Sequence, residues 1–333
     1  MRLHIAIACV WALILAKPVS SEAAPVTIKL ATVAPEKTPW HKAVLRMAKR
    51  WSEASGGQVR IKIFPGGVAG DEEDMLRKIK VGQLQAASLT GIGLARVSRS
   101  TLALQIPMLM QSYEELDHVR EAVAPELEKE LEEAGYVVLN WGDAGWIHFF
   151  SREPVEGPAD FAKLKIMVFA KDAKAETAWK AANFNPVPLA STDVLSGLQT
   201  GLIDAFASPP LYALSTQWFS LAKHMVPVKW TPLNGATVID KATWEKIPAE
   251  LRPELMKIAR EEGELSKERV RALGQKSIKA MQKYGLVVHE LDEKKQQAWL
   301  AAAEKAYPRV RGELVPEEMF DRVKELAEQV REK

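Results

Sequence analysis

Residues 183–210, NFNPVPLASTDVLSGLQTGLIDAFASPP, read as a strand, a helix and a second strand with polar groups at each junction. Ser191, Thr192 and Asp193 are helix N-cap types. They precede apolar Val194, Leu195, Leu198 and Leu202, and Gly201 stands where a helix C-cap belongs. The strand LIDAFASPP then delivers Phe206 and Ser208 to its carboxyl end. In open α/β sheets ligands collect outside such ends, where helix N-termini present unpaired N–H groups. The unit therefore points toward binding a small molecule.

Upstream the chain alternates in the same way. Strands VTIKLATV, VRIKIF and AASLT enclose helices expected over about residues 40–54 and 71–81, which is α/β wiring. Residues 113–134 form a charged helix with an apolar stripe at Leu116, Val119, Val123, Leu127 and Leu131, its charges a solvated face. Strands VVLNWG, WIHFFS and KIMVFA follow before the opening unit. Beyond it, residues 249–284 read as one helical stretch with anchors at Leu251, Leu255, Ile258, Leu265, Leu273 and Met281. A helix of that length can brace two lobes; a kink at Gly263 or Gly274 is the alternative. Strand VVHEL and amphipathic helices complete the chain. No internal repeat or low-complexity segment interrupts it.

The amino terminus sets the compartment. Arg2 and His4 precede an apolar run over residues 5–16, too short to span a bilayer and followed by the breaker Pro18. This is the pattern of a secretory signal, with cleavage expected after Ala23. The single cysteine, Cys9, lies within it, so the mature chain is expected to carry no thiol, disulfide or lipid anchor. Removing Arg2, Lys17 and Glu22 from 45 basic and 43 acidic residues leaves 43 and 42, a balance that advertises no nucleic-acid partner. No later run reaches ~18 apolar residues, so any membrane event needs other subunits.

The motif NPVPL, then Asp193, then LQTGLIDAFASPP resembles the signature of the solute-binding proteins of tripartite ATP-independent periplasmic (TRAP) transporters, the DctP family. The resemblance extends over HKAVLRMAKRWSEASGGQVRIKIFPGGVAGDEEDMLRKIKVGQLQAASLTG and PADFAKLKIMV. It implies a two-lobed periplasmic binding-protein fold with a hinged cleft and a long helix touching both lobes. The expected lobes are residues 24–145 with about 236–275, and 146–235 with the C-terminal helices. It also implies a periplasmic protein that hands its ligand to one small and one large TRAP membrane subunit, with no cofactor and no metal.

The cleft departs from the family pattern. Where most members read K-I-R-V, with an arginine for the ligand's carboxylate, this chain has KIMV and places Met167 there. Ile147 stands at a second basic position, and Ser208 replaces the signature asparagine. An ionised carboxylate buried without a cation costs several kcal/mol. The expected ligand is therefore apolar or aromatic, captured by Trp40, Thr90, Gly91, Trp146, His148, Met167, Phe169, Asp193, Phe206, Ser208, Trp230 and Asn234. Strand alternation puts Trp146, His148 and Phe150 on one face, Ile147 and Phe149 on the other, and Met167 with Phe169. Each aromatic side chain also admits plain core packing, and Asp193 a helix cap.

Two other ligand classes remain open: an organic acid met by Lys171, Lys165 or His148, and a cation caged by Trp and Tyr with Asp143 or Asp193 as counter-charge. The cleft and the strings GWIHFFS and WTPLNGATVI resemble a TRAP branch paired with a periplasmic tetratricopeptide-repeat (TPR) protein, suited to hydrophobic ligands. The competing class is a periplasmic hydrolase. His41, His118, His148, His224 and His289 show no metal-ligand spacing, and no nucleophile motif or P-loop stands in the right context. The chain is accordingly expected to bind rather than catalyse.

Overall fold

The computed structural model describes residues 25–169 and 173–332; the expected signal segment with Cys9, and Lys171, lie outside the described residues. Among the described residues nine strands form one mixed sheet. In chain order they are β1 (Val26–Thr32), β2 (Val59–Phe64), β3 (Ala86–Thr90), β4 (Tyr136–Ser151), β5 (Lys165–Phe169), β6 (Asn185–Leu189), β7 (Ala205–Ser208), β8 (His224–Asp240) and β9 (Val287–Val288). Their spatial order is β2-β1-β3-β8-β4-β7-β5-β6, with β9 beside β8. The parallel set β1–β3 occupies one end and the parallel set β5–β7 the other. Antiparallel β4 and β8, of 16 and 17 residues, run between them and belong to both halves.

The helices begin where their caps predict. In α1 (Pro39–Ala54) the Thr38 side chain accepts from the His41 N–H, with proline at the first helical position. Helix α2 (Glu72–Lys80) is capped by Asp71 and starts with three acids at its positive dipole end. The stripe of α3 (Tyr113–Glu133) is fully buried at all five expected positions. Gly201 ends α4 (Val194–Thr200) in the left-handed conformation at φ 71°, as a C-cap glycine does.

Three expectations change. The strands VVLNWG and WIHFFS are one continuous strand, because β4 absorbs the intervening glycines in irregularities at Val138/Asn140, Asp143/Gly145 and Ile147/Phe149 rather than ending there. VVHEL contributes only the two residues of β9. The C-terminal helices also part company. Helix α7 (Glu293–Glu304) puts Trp299 against Phe149 and Phe161, while α8 (Glu317–Arg331) sends Met319, Phe320 and Val323 into the cluster beneath α3.

Helix α6 (Arg252–Gln282) runs unbroken for 31 residues, about 46 Å at 1.5 Å per residue, so neither glycine ends it. At its start the Trp51 indole N–H of α1 donates to Leu255 O at 2.9 Å. One turn further on the Asn140 amide of β4 donates to Ala259 O at 3.0 Å. Its last turns put Ile278 and Met281 among Phe150, Phe206 and Trp218 of the other half. The helix therefore braces both lobes. Gly263 permits its close approach to β4: a Cβ there would lie 2.7 Å from Asn140 Cβ and 2.9 Å from Trp141 O. Gly263→Val should displace the helix and cost about 1–3 kcal/mol by overpacking, read as a lowered urea midpoint with an unchanged slope.

Candidate functional site

A cavity of ≈ 180 Å³ lies between the two halves of the sheet, under the middle of α6. The ends of β1 and β3 with α1 and α2 form one wall. The other comes from β5, β7, helix α5 (Pro210–Ser215) and the 3₁₀ turn at Trp218. The crossing segments of β4 and β8 make the floor. It lies outside the carboxyl ends of the parallel strands, where the sequence of the opening unit places a ligand.

Six of the twelve expected residues line this cavity: Trp40, Thr90, Met167, Phe169, Ser208 and Asn234. Met167 and Phe169 share the cavity face of β5 as alternation requires. Ser208 ends β7, its hydroxyl donating to Pro209 O at 3.1 Å. Asn234 is buried on β8; its amide donates to Leu104 O at 3.1 Å, and its Oδ1 has no partner.

The other six stand elsewhere. Trp146 turns away to pack on Tyr113, ring centres 5.6 Å apart, with Lys229 Nζ 5.2 Å above it. Ile147 faces the cavity instead, because the irregularity at Asp143/Gly145 re-aims the strand. His148 is buried behind it and Nδ1 bonds Val228 O at 2.9 Å. Phe206 stacks on Phe150 at 5.0 Å and meets the edge of Trp218, fully enclosed. Trp230 lies in a separate aromatic core against Phe149 and Trp179. Gly91 sits behind Thr90, where a Cβ would strike Gln105 Nε2 at 1.8 Å. Asp193 is exposed at the N-cap position of α4, without a side-chain capping bond.

Glu72, Tyr212 and Trp218 line the cavity without having been expected there. Glu72 opens α2, where the helix dipole alone explains an acid. Its carboxylate accepts from Thr90 N at 2.6 Å and from Thr90 Oγ1 at 2.7 Å. Burial pushes its pKa up, against these hydrogen bonds. Tyr212 and Trp218 follow the SPP turn on short helices with no periodicity to mark them.

Among the described residues the lining contains no Lys, Arg or His. Its other two acids are already neutralised. Asp143 holds Arg120 and Arg271, each at 2.6 Å, and Arg271 also grips Asp117 at 2.6 Å. Glu262 on α6 pairs with Arg46 at 2.6 Å and Arg50 at 3.1 Å on α1. These pairs tie α6 to α1, α3 and β4. The Trp40 indole N–H donates to Asp143 O at 2.9 Å, joining the first wall to the floor. Lys165 points out of the site toward the Gly201 carbonyl and Asp204.

A two-part α/β sheet, crossing strands, a bracing helix and a cavity between the halves define a two-lobed solute-binding protein. Residues 30–313 match the bacterial extracellular solute-binding protein family 7, DctP, and the chain belongs to that family. It is 26% identical to the C4-dicarboxylate-binding periplasmic protein DctP of Rhodobacter capsulatus over 86% of this chain and 87% of the relative. It is 27% identical to the 2,3-diketo-L-gulonate-binding periplasmic protein YiaO of Escherichia coli over 76% and 78%. Its fold resembles a TRAP periplasmic solute-binding protein of Sulfurospirillum deleyianum with bound succinate, at TM-score 0.84 and 22% identity, covering 91% of this chain and 99% of that one. The galactonate-bound sugar acid binding protein of Advenella mimigardefordensis matches at TM-score 0.86 and 16% identity, over 92% and 99%. Members of this family serve transport from the periplasm together with membrane subunits. No described helix is long and apolar enough to cross a membrane.

His148 gives this site a measurable pH dependence. Burial lowers its pKa from 6.5 to about 4, outweighing the backbone hydrogen bonds that favour the charged form. The unfolded chain therefore takes up its proton first as pH falls, so the stability contribution is full above about pH 6.5 and lost toward pH 4. Urea unfolding should show a loss of about 2 kcal/mol from this group between pH 7 and pH 5, which His148→Gln removes.

Proposed function

We propose that this protein is the extracytoplasmic capture subunit of a TRAP transporter for a small, mainly apolar or aromatic ligand, which it delivers to the membrane subunits. The observation that carries the ligand class is the lining: Met167 and Ile147 stand in the cavity wall, and none of its described residues is a cation. Trp40, Phe169, Tyr212 and Trp218 supply apolar area suited to a ring. The lobes divide in the crossing segments of β4 and β8, which bend to close the cleft over the ligand. The same lining supports a place in the branch paired with a periplasmic TPR protein; a repeat-protein gene beside the membrane-subunit genes is the corresponding observation.

The relatives favour a second reading, an organic acid. Their names and bound molecules are C4-dicarboxylate, diketogulonate, succinate and galactonate. Of the substitute cations, Lys165 is turned away and His148 is buried and neutral, leaving Lys171 outside the described residues. An acid would otherwise have to draw Arg120 or Arg271 off Asp143.

Thermal unfolding of refolded, ligand-free mature protein separates the two. A compound at ~100 times its Kd adds about 2.7 kcal/mol, a rise of a few degrees. Selective shifts by uncharged ring compounds support the apolar reading; shifts by simple dicarboxylates establish the acid. Met167→Arg should weaken an apolar ligand more than tenfold and raise affinity for organic acids, measured by calorimetry. Unchanged binding of both classes removes Met167 from the ligand's contacts.

A further inference from the structure

The polar groups of the cavity are not a random remainder of an apolar lining. Glu72 lines it and is buried, yet its partners are Thr90 and the Gly93 N–H rather than any cation. A carboxylate offers about four lone-pair sites, and those three donors leave one open. Asn234 Oδ1, also of the lining, has no donor at all. Thr90 holds Glu72 at the cavity wall, whereas Asn234 Oδ1 lies toward Gly91 behind that wall, where Gln105 Nε2 is also unpaired. The polar end of the cavity thus presents a buried carboxyl group with no cationic partner among the described residues, whose charged form burial disfavours until a cation meets it. The acids on the other sides, Asp143 and Glu262, are spent on arginines.

Three aromatic rings line the same space. Trp40 and Tyr212 have centroids 6.2 Å apart, and Tyr212 and Trp218 5.3 Å apart. A cation within ~6 Å of such faces is attracted by the ring quadrupole, most strongly when desolvated. Burial pushes the Tyr212 hydroxyl up to about 12, with the Glu72 charge next in weight, so the two groups feel each other across the cavity. The volume of ≈ 180 Å³ sets the size. An apolar cavity of about 150 Å³ takes a benzene ring, so one substituted ring is the scale here.

We infer that the ligand carries a cationic amine head, set against the Glu72 carboxylate and the faces of Trp40, Tyr212 and Trp218, on a body the size of one ring. This rests on the apolar reading of the cleft and specifies its polar end. The head group brings the donor and the positive charge that Glu72 lacks among the described residues, and so stabilises the ionised form that burial disfavours. A carboxylate placed there would face Glu72 directly, which is why the acids of the relatives fit poorly at this end.

The test uses four compounds of matched shape on refolded mature protein by titration calorimetry: 2-phenylethylamine, 2-phenylethanol, ethylbenzene and phenylacetate. The amine should bind at least tenfold more tightly than ethylbenzene or phenylacetate. Glu72→Gln, which keeps the shape of the side chain, should bring the amine to within threefold of ethylbenzene. Should that variant not fold by circular dichroism, Tyr212→Leu supplies the second measurement, with the amine's advantage over ethylbenzene falling at least threefold. Equal binding of amine, alcohol and ethylbenzene, or an amine preference that survives both substitutions, overturns the inference while leaving the apolar cleft intact. Preference for phenylacetate overturns both, and binding of none of the four rules out a ring-sized cation.

Discussion

Everything in this molecule hangs on the antiparallel pairing of β4 with β8. Among the described residues these are the two strands that run through both halves of the sheet, with β3 hydrogen-bonded to one and β7 to the other. The cavity floor is their middle, so the local register there decides which side chains a ligand can meet. The irregularity at Asp143/Gly145 turns Ile147 inward and Trp146 outward. A strand of period two has no third choice, so one bulge reassigns an entire face.

The second constraint is charge compensation around that floor. Arginines on three helices surround it: Arg120 from α3 and Arg271 from α6 bind Asp143 of the floor, and Arg46 and Arg50 from α1 bind Glu262 of α6. Breaking such a partly buried pair leaves an uncompensated charge, a penalty of several kcal/mol. The arginines therefore act as ties between the bracing helix and the sheet rather than as spare ligand-binding groups. Tyr113 reinforces this, lying 4.2 Å from the Arg271 guanidinium, with its hydroxyl pushed up to about 12 by burial and the nearby Asp143 charge.

Much of the scaffold was legible in the chain because its signals are local. VRIKIF and AASLT become β2 and β3, NPVPL becomes β6, and the α3 stripe is buried throughout, each a case of periodicity matching a one-sided environment. The continuity of β4 was not legible, since Gly142, Asp143 and Gly145 read as a turn when the neighbouring strand that holds them extended is unknown. The same blindness applies to the site. Met167 and Phe169 were found because their strand is regular, whereas Phe206 and Trp230 were placed by proximity in sequence and belong to aromatic cores. Glu72 was hidden in plain view by a sufficient local explanation, the acidic first turn of a capped helix.

Glu72 also shows how one scaffold accommodates different chemistry. The fold superposes at TM-scores above 0.8 on proteins holding succinate or galactonate, although identity is only 16–22%. Architecture at that distance constrains where a ligand sits and says little about its charge, which depends on a handful of side chains at strand ends. In this chain the β5 position carries a thioether, Asp143 of the floor and Glu262 of α6 are consumed by structural arginines, and Glu72 lines the same cavity as Trp40, Tyr212 and Trp218. A hydrogen-bonded acid on a helix N-terminus is held in place whether or not a ligand is bound.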